Sequence, residues 1–592
     1  MLLVTTALEE TWGEEGKLIL LGEWCRLYSR KEILSKRSYS IATYHWDDRQ
    51  KAYNDSKYLQ SLNKKIIHEL TPILNNLHDA DYSDRSWNLL IGCWLVEFTA
   101  VIFDRWTMID NVRKEYECLE TIVINHGQNT VPKDIYEALY FFLDDSWNHE
   151  IYSKIISRLG DIKVKKKNKR KVTIDPYRSS VRRAIVTNKS KLRLSTELLI
   201  KKFILRVFNY LSRNNTYIFA TSGINKLDIF KLQILLKQIP GHVEFPDVPD
   251  ILFNSRFRQW QLPCINHDKT FENIVRDLIP QYLPKVYLEG FDDCNKLIDK
   301  INISKTPEII FTDTGHFLSE LFKLWTMRYL DKGVKLVTAQ HGGGAFYRYS
   351  GAMFFDISIP DIYISTGYNN VSSKNTKPVG QLFNRVKYRN YNPNSCCALL
   401  ITSAMPRYSF DLRSMPIAGQ VLDYFNEQYK FFKSLPKEIQ GQIRIRLHPN
   451  DQEWDQKQRW NDCCPEAIFD VEGRSMSQSI KKSKLAISTY SATTYNETFS
   501  ANIPTVIYWN TKHWELSDES KLLFEELKSV GIFHETPESA AAQVAKIWND
   551  VDKWWGQEAL QEVIERYCRA YAYKPNNLLT RLKDVLLEAA EK

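Results

Sequence analysis

The sequence predicts an α/β fold built as two parallel-sheet lobes with a cleft between them, the first lobe carrying a large helical insertion. Three observations predict it. Short apolar runs alternate with helix-period patterns along most of the chain, the pattern of parallel strands covered on both faces. Gly (22) and Pro (21) are scarce, so the connections are short and no long flexible linker is expected. One polar stretch, Phe383–Ser395, interrupts the alternation and is the expected hinge. At 592 residues the chain calls for more than one folded unit, and 43% hydrophobic with 26% charged residues excludes wholesale disorder, collagen and coiled coil.

In chain order, Leu2–Leu8, Lys17–Gly22 and Ser40–His45 read as strands, and the region from about 55 to 156 as mostly helical, with Trp87, Leu90, Trp94, Phe98 and Ile102 at three- and four-residue spacing. A helix is expected near Ser195–Leu211 and a strand at Thr216–Thr221. Strands Glu308–Thr312, Lys335–Gln340 and Asp361–Thr366 follow, with a helix at Phe317–Leu330. Past the hinge, strands are expected at Cys396–Thr402, Gln442–Leu447, Ala467–Val471, Leu485–Ser488 and Pro504–Trp509, then helices. The lobes are therefore placed at 1–385, with the helical insertion at about 55–212, and at 395–592.

No stretch reads as a membrane span: Leu89–Phe103 is short and broken by Glu97. The N-terminus lacks the basic region of a signal peptide. The ten cysteines include no CxxC pair, so idle thiols in a reducing, cytoplasmic compartment are expected. The net charge of +9 is uneven. Lys163–Arg193 holds thirteen Lys or Arg against the single acid Asp175, which leaves the rest of the chain at −3. That segment reads as an arm for an anionic partner such as lipid headgroups at the inner membrane, or as a solvated loop; no nucleic-acid module accompanies it.

Three segments at expected strand ends carry chemistry, because open α/β sheets take ligands there. In Arg444–Pro449 (RIRLHP), strand alternation puts Arg444, Arg446 and His448 on one face, which fits a phosphate or carboxylate, and Pro449 ends the strand. An exposed face or an internal ion pair is the alternative reading. In Ser488–Glu497 (STYSATTYNE), five hydroxyl residues, Ser488, Thr489, Ser491, Thr493 and Thr494, stand at a strand-to-helix turn suited to phosphate. Glu497 lies further into that helix, placed to accept from ribose hydroxyls. In Gln340-His341-Gly342-Gly343-Gly344, the glycines allow close backbone approach and His341 is expected to face the cleft. Asp313, Glu320, Glu9 and Glu10 lie near the same strand ends as candidate bases. No zinc or calcium spacing and no Walker loop occurs, so neither metal nor cofactor is expected.

The segments VTTALEETW, LGEWCRLYSR, TYHWDDR, QHGGG and YSATTYNETFSANIPTVIYW resemble a set of bacterial transferases associated with O-antigen and surface-polysaccharide gene clusters. More distantly, the second lobe resembles GT-B glycosyltransferases that use CMP-activated acidic sugars, the capsule octulosonic acid transferases and bacterial sialyltransferases. In those enzymes a His-Pro pair and a Ser/Thr-rich turn hold the cytidine monophosphate, which His448-Pro449 and Ser488–Thr494 match in order. The short acidic motif that carries the base in several sialyltransferases has no clear match here.

The resemblance implies two Rossmann-like lobes and a metal-independent glycosyltransferase. Its donor would be a CMP-linked nonulosonic or octulosonic acid and its acceptor a surface glycan or lipid-linked glycan. Catalysis is expected from His341, Asp313, Glu10 or Glu320. Nucleotide binding is expected from Gln340, Gly342, Gly343, Arg446, His448, Pro449, Ser488, Thr489, Ser491, Thr493, Thr494 and Glu497. A CDP-alcohol phosphotransferase of teichoic-acid type, a sugar-nucleotide epimerase and a non-catalytic assembly scaffold are the alternatives.

Overall fold

The structure, a computed structural model, describes residues 1–125, 130–168, 211–220, 223–263, 269–301, 303–368, 374–383, 392 and 395–591. The helix expected near 195–211 and most of the basic segment and hinge lie outside these residues.

The strands form three five-stranded sheets with parallel neighbours throughout. The first holds β1 (Leu2–Val4), β2 (Leu18–Leu20), β3 (Tyr39–Ile41), β4 (Glu120–Asn125) and β5 (Lys163–Asn168), in the order 3-2-1-4-5. The second holds β6 (Tyr217–Phe219), β7 (Ile309–Thr312), β8 (Lys335–Ala339), β9 (Ile362–Ser365) and β10 (Thr376–Pro378), in sequential order. The third holds β11 (Ala398–Ile401), β12 (Ile443–Arg446), β13 (Leu485–Ser488), β14 (Thr505–Tyr508) and β15 (Phe533–His534), ordered 12-11-13-14-15. Strands such as IIFT, ALLI, LAIS and TVIY are buried at every position, as expected where helices cover both faces of a parallel sheet.

The α/β expectation holds, with a difference inside the first lobe, where residues 1–385 carry two sheets. The region read as a helical insertion is interrupted by β4 and β5, and its long helices, Arg49–His78 and Asp84–Glu115, are the crossover between β3 and β4. Helix Asp84–Glu115 is capped by Ser83, whose hydroxyl accepts the Ser86 N–H. It is long and apolar enough to cross a membrane, yet 89% of its apolar window is buried within the protein. Trp87, Trp94, Phe98 and Ile102 share one core with Leu321, Phe322 and Trp325 of the helix Glu320–Leu330, so this helix welds the first sheet to the second.

Three further expectations change. Lys163–Asn168 is the edge strand of the first sheet, where lysines block edge-to-edge pairing, and Lys165 bonds Glu120 at 2.8 Å. The start of the basic segment therefore serves the fold. The last helix, Leu578–Glu591, does not stay with the third sheet: Leu582, Leu586 and Ala589 pack against Phe311, Val337 and Ile364 of the second. The strand expected at Ala467–Val471 reduces to one bridge between Phe469 and Ile445.

Candidate active site

The second sheet ends in a histidine–aspartate pair. Asp313 follows β7, its side chain fully buried, and both carboxylate oxygens accept the Gly223 N–H, at 3.0 and 3.1 Å. Its Oδ2 also lies 3.0 Å from Nδ1 of His341, which follows β8. An imidazole anchored through Nδ1 by a sealed carboxylate presents Nε2 outward, and the His341 side chain is 44% exposed. Phe383 packs beside the ring, centroids 5.2 Å apart.

The glycine turn after His341 docks on the third sheet. The Gly343 N–H donates to Thr493 Oγ1 at 2.8 Å, and a Cβ on Gly343 would fall 2.8 Å from both the Ala492 carbonyl carbon and the Thr493 nitrogen. Only glycine permits that approach. The Tyr347 hydroxyl adds a second tie, donating to the Ser491 carbonyl at 2.6 Å. Gln340 is spent on holding the turn: its amide nitrogen donates to the Gly342 carbonyl, and its oxygen accepts from Thr366 N–H and Oγ1. Its expected ligand contact becomes a positioning role.

Of the hydroxyl turn, most side chains are satisfied internally. Thr489 bonds the Ile401 carbonyl and the Tyr424 hydroxyl, Ser488 the Tyr490 carbonyl and Thr494 the Tyr490 hydroxyl. Ser491 is fully buried. Thr493 Oγ1 already accepts from Gly343, so its hydroxyl proton and the backbone remain. The helix Thr493–Ser500 begins at Ala492 with no side-chain cap, the kind of start whose N–H groups favour anions. Glu497 is half-buried one turn further along.

The arginine strand departs from expectation. β12 is an edge strand, which explains the alternation of Ile443 and Ile445 inward with Arg444 and Arg446 half-exposed. The Arg446 guanidinium is occupied by Asp470 (2.9 Å), Ser479 (3.0 Å) and the Arg474 carbonyl (2.7 Å). It is an internal ion pair, so its assignment as a phosphate ligand is withdrawn. His448 and Pro449 line a cavity of about 950 Å³ together with Arg446, Asp455, Asp470 and Arg474. Local backbone holds the His448 ring: Nδ1 lies 3.2 Å from the Asn450 nitrogen and 2.9 Å from its carbonyl oxygen. Ser491, Thr493 and Thr494 do not line this cavity.

Glu320 is corrected as well. It is buried in the helix packed on Asp84–Glu115, paired with Lys323 at 2.7 Å and accepting from the Ile135 N–H and the Tyr287 hydroxyl. Burial pushes its carboxyl above the ordinary range. Glu10 lies in the short turn Glu9–Thr11 after β1, on the first sheet, whereas Asp313 and His341 belong to the second.

The ligand-binding edge of that first sheet is plugged. Arg407 and Tyr408, from the loop after β11, reach into it: Arg407 pairs with Asp145 (2.7 Å) and Glu453 and donates to the Trp24 carbonyl, while Tyr408 donates to Asp145. Asp145 draws the Arg407 guanidinium further into its charged form. Trp24 Nε1 in turn donates to the Thr5 carbonyl, and His45 bonds Asp104 at 3.0 Å. The N-terminal motifs are thus a socket for a loop of the third sheet. Sequence reasoning missed Gly223, Tyr347 and Arg407, because their partners lie roughly 90, 144 and 262 residues away.

No curated protein matches the chain. Among solved structures, the chain is similar to MurG of Acinetobacter baumannii, at 11% identity over 63% of this chain and 99% of that one, with a TM-score of 0.33. A putative UDP-N-acetylglucosamine 2-epimerase from Listeria monocytogenes gives 9% over 64% and 98%, TM-score 0.35. The wall teichoic acid polymerase TagF gives 9% over 70% and 98%, TM-score 0.29. At such values these likenesses assign neither ligand nor reaction. The profile of the LIC12162 family transferase spans residues 1–586, and the chain belongs to that family of transferases.

Proposed function

We propose that the protein is a glycosyltransferase of GT-B type that moves a sugar from a nucleotide donor to a glycan or lipid-linked acceptor, the donor being a CMP-linked nonulosonic or octulosonic acid. The observation that carries this reading is the Asp313–His341 pair standing beside a glycine turn that meets an uncapped helix start.

In this reading the acceptor hydroxyl attacks the anomeric carbon as the bond to the donor phosphate breaks, and the electron pair leaves on CMP. His341 Nε2 takes the acceptor proton, and Asp313 stabilises the imidazolium that forms. The helix start at Thr493 and the Gly342–Gly344 backbone receive the charge developing on the leaving phosphate. The cavity behind His448 and Pro449 takes the nucleoside. Contact of the basic segment with the inner membrane surface belongs to the same reading.

A thermal-shift panel of CMP, CDP, UDP, GDP and dTDP tests the donor class, with CMP or CDP expected to give the largest shift. Incubation with radiolabelled CMP-sugars and CDP-alcohols then separates glycosyl from phosphoalcohol transfer. Stabilisation by UDP alone would remove the cytidine assignment, and silence from all five nucleotides would remove the transferase mechanism itself.

A further inference from the structure

The loop after β11 divides its work. Arg407 and Tyr408 fill the edge of the first sheet, whereas residues 411–414 run beside the chain that leaves the glycine turn. Ser350 and Arg413 form an antiparallel bridge, the Gly351 N–H donates to the Leu412 carbonyl at 3.3 Å, and the Ser414 N–H donates to the Tyr349 carbonyl at 3.0 Å. Residues two apart in an extended segment share a side, so Asp411 and Arg413 stand together while Leu412 joins the first core. Asp411 Oδ2 lies 3.0 Å from Arg413 Nε, the aspartate side chain 8% exposed and the arginine side chain 34%. Nε also meets the Met415 sulfur, and among the described residues neither Nη nitrogen of Arg413 has a hydrogen-bond acceptor. As with Asp313 and His341, a buried carboxylate holds one end of a cation and leaves its other end open.

Two neighbours define the surroundings of that open end. Glu97, on the helix Asp84–Glu115, has its Oε2 buried without a hydrogen-bond partner among the described residues. Burial and the nearby Asp411 push the Glu97 carboxyl well above the ordinary range, which favours its neutral form. Arg413 therefore faces one carboxylate charge, and an added anion meets a wall with no excess of negative charge. On the other side, Arg413 and Asp411 both lie close enough to bear on the ionisation of the Tyr347 hydroxyl. That hydroxyl donates to the Ser491 carbonyl, two residues before the helix start at Thr493. Asp411, Arg413 and Met415 also line a recess of about 20 Å³, room for one water-sized group and too little for a whole phosphate.

We propose that the open Nη fork of Arg413 receives the carboxylate of the donor sugar and so sets the specificity for an acidic sugar over a neutral one. The inference rests on the glycosyltransferase reading and deepens it. In a nonulosonic or octulosonic acid the carboxylate is bonded to the anomeric carbon itself, so it must lie next to the leaving phosphate and the attacking hydroxyl. A guanidinium fork beside the wall that receives the phosphate is the group suited to it, because planar paired donors match a carboxylate. Held there, the carboxylate fixes which face of the anomeric carbon is turned to His341.

Calorimetric titration of the full chain with CMP, CMP-N-acetylneuraminate and CMP-3-deoxy-octulosonate is the test. The wild type should bind one of the two acidic sugar nucleotides more tightly than CMP. Arg413→Gln should weaken that sugar nucleotide about tenfold while CMP stays within about twofold. Arg413→Lys keeps a charge beside Asp411 and removes only the fork, so it should recover part of the loss and serves where Arg413→Gln unfolds early. Three results would overturn the proposal: no advantage over CMP in the wild type, unchanged binding in Arg413→Gln, or an equal loss for CMP and the acidic sugar nucleotide. In each of these the wild type still binds CMP, and the nucleotide reading stands. A wild type that binds no CMP strikes that reading, and this proposal with it.

Discussion

Asp313 and His341 meet at 3.0 Å across the neighbouring ends of β7 and β8, the aspartate sealed from solvent and the histidine open to it. The asymmetry lets a fixed charge orient a ring that substrate can reach. Asp313→Asn keeps the shape and removes the charge. It should lower turnover by about 10²–10⁴-fold and leave nucleotide affinity within about twofold. His341→Ala should act in the same way, and the double variant should be little worse than either alone. Full turnover in Asp313→Asn would refute the positioning role.

Gly343 sits where a methyl group would collide with the Thr493 backbone at 2.8 Å. Gly343→Ala should therefore push the glycine turn off the third sheet and weaken nucleotide binding while the overall fold survives. Thr493→Val, which deletes only the acceptor of the Gly343 N–H, should cost about 0.5–1.5 kcal/mol. Calorimetric titration of the nucleotide measures both.

His448 and Arg446 should now separate. Arg446→Ala strips Asp470 and Ser479 of their partner and should show mainly as lost stability, on the order of 3 kcal/mol at most given its partial exposure. His448→Ala should leave the melt unchanged and weaken nucleotide binding. A purely binding defect in Arg446→Ala would restore the phosphate role to that arginine.

Arg407 is a buried cation holding Asp145 and Glu453. Arg407→Ala leaves the Asp145 carboxylate without that partner in the plugged edge of the first sheet, which should destabilise the protein by about 3–5 kcal/mol in urea unfolding. Arg407→Lys should recover only part, since it replaces a planar fork with a point charge.

His513 gives the stability an acid limb. Burial and the nearby Arg49 hold its pKa down at about 4 against 6.5 unfolded, and Asp423 at 3.5 Å only partly opposes them. The folded state thus binds fewer protons between those values. The contribution is complete above 6.5 and is lost as pH falls towards the folded pKa, reaching on the order of 2 kcal/mol near pH 5. His513→Gln should flatten the fall of melting temperature over that interval. An unchanged slope would mean another group carries it.

Much of the fold was legible from local pattern. Runs such as IIFT, LAIS and TVIY declare buried parallel strands because no polar residue interrupts them. QHGGG and SATT announced themselves as strand-end turns for the same local reason. ETIVIN was hidden inside a helical neighbourhood, and with it the division of the first lobe into two sheets. RIRLHP carried the right alternation but could not say whether its strand was central or at an edge, a fact set by which strands flank it.

The sequence by itself determined the parallel sheets, the glycine turn and the residue types at the strand ends, because each follows from spacing within a few residues. Tertiary structure decided which of them meet. It paired Asp313 with His341 and seated Gly343 on Thr493, but it also consumed Arg446 and Glu320 in internal ion pairs and filled the first sheet's edge with Arg407. A side chain's chemistry is written in the chain; whether that chemistry is free depends on partners brought close only when distant segments pack.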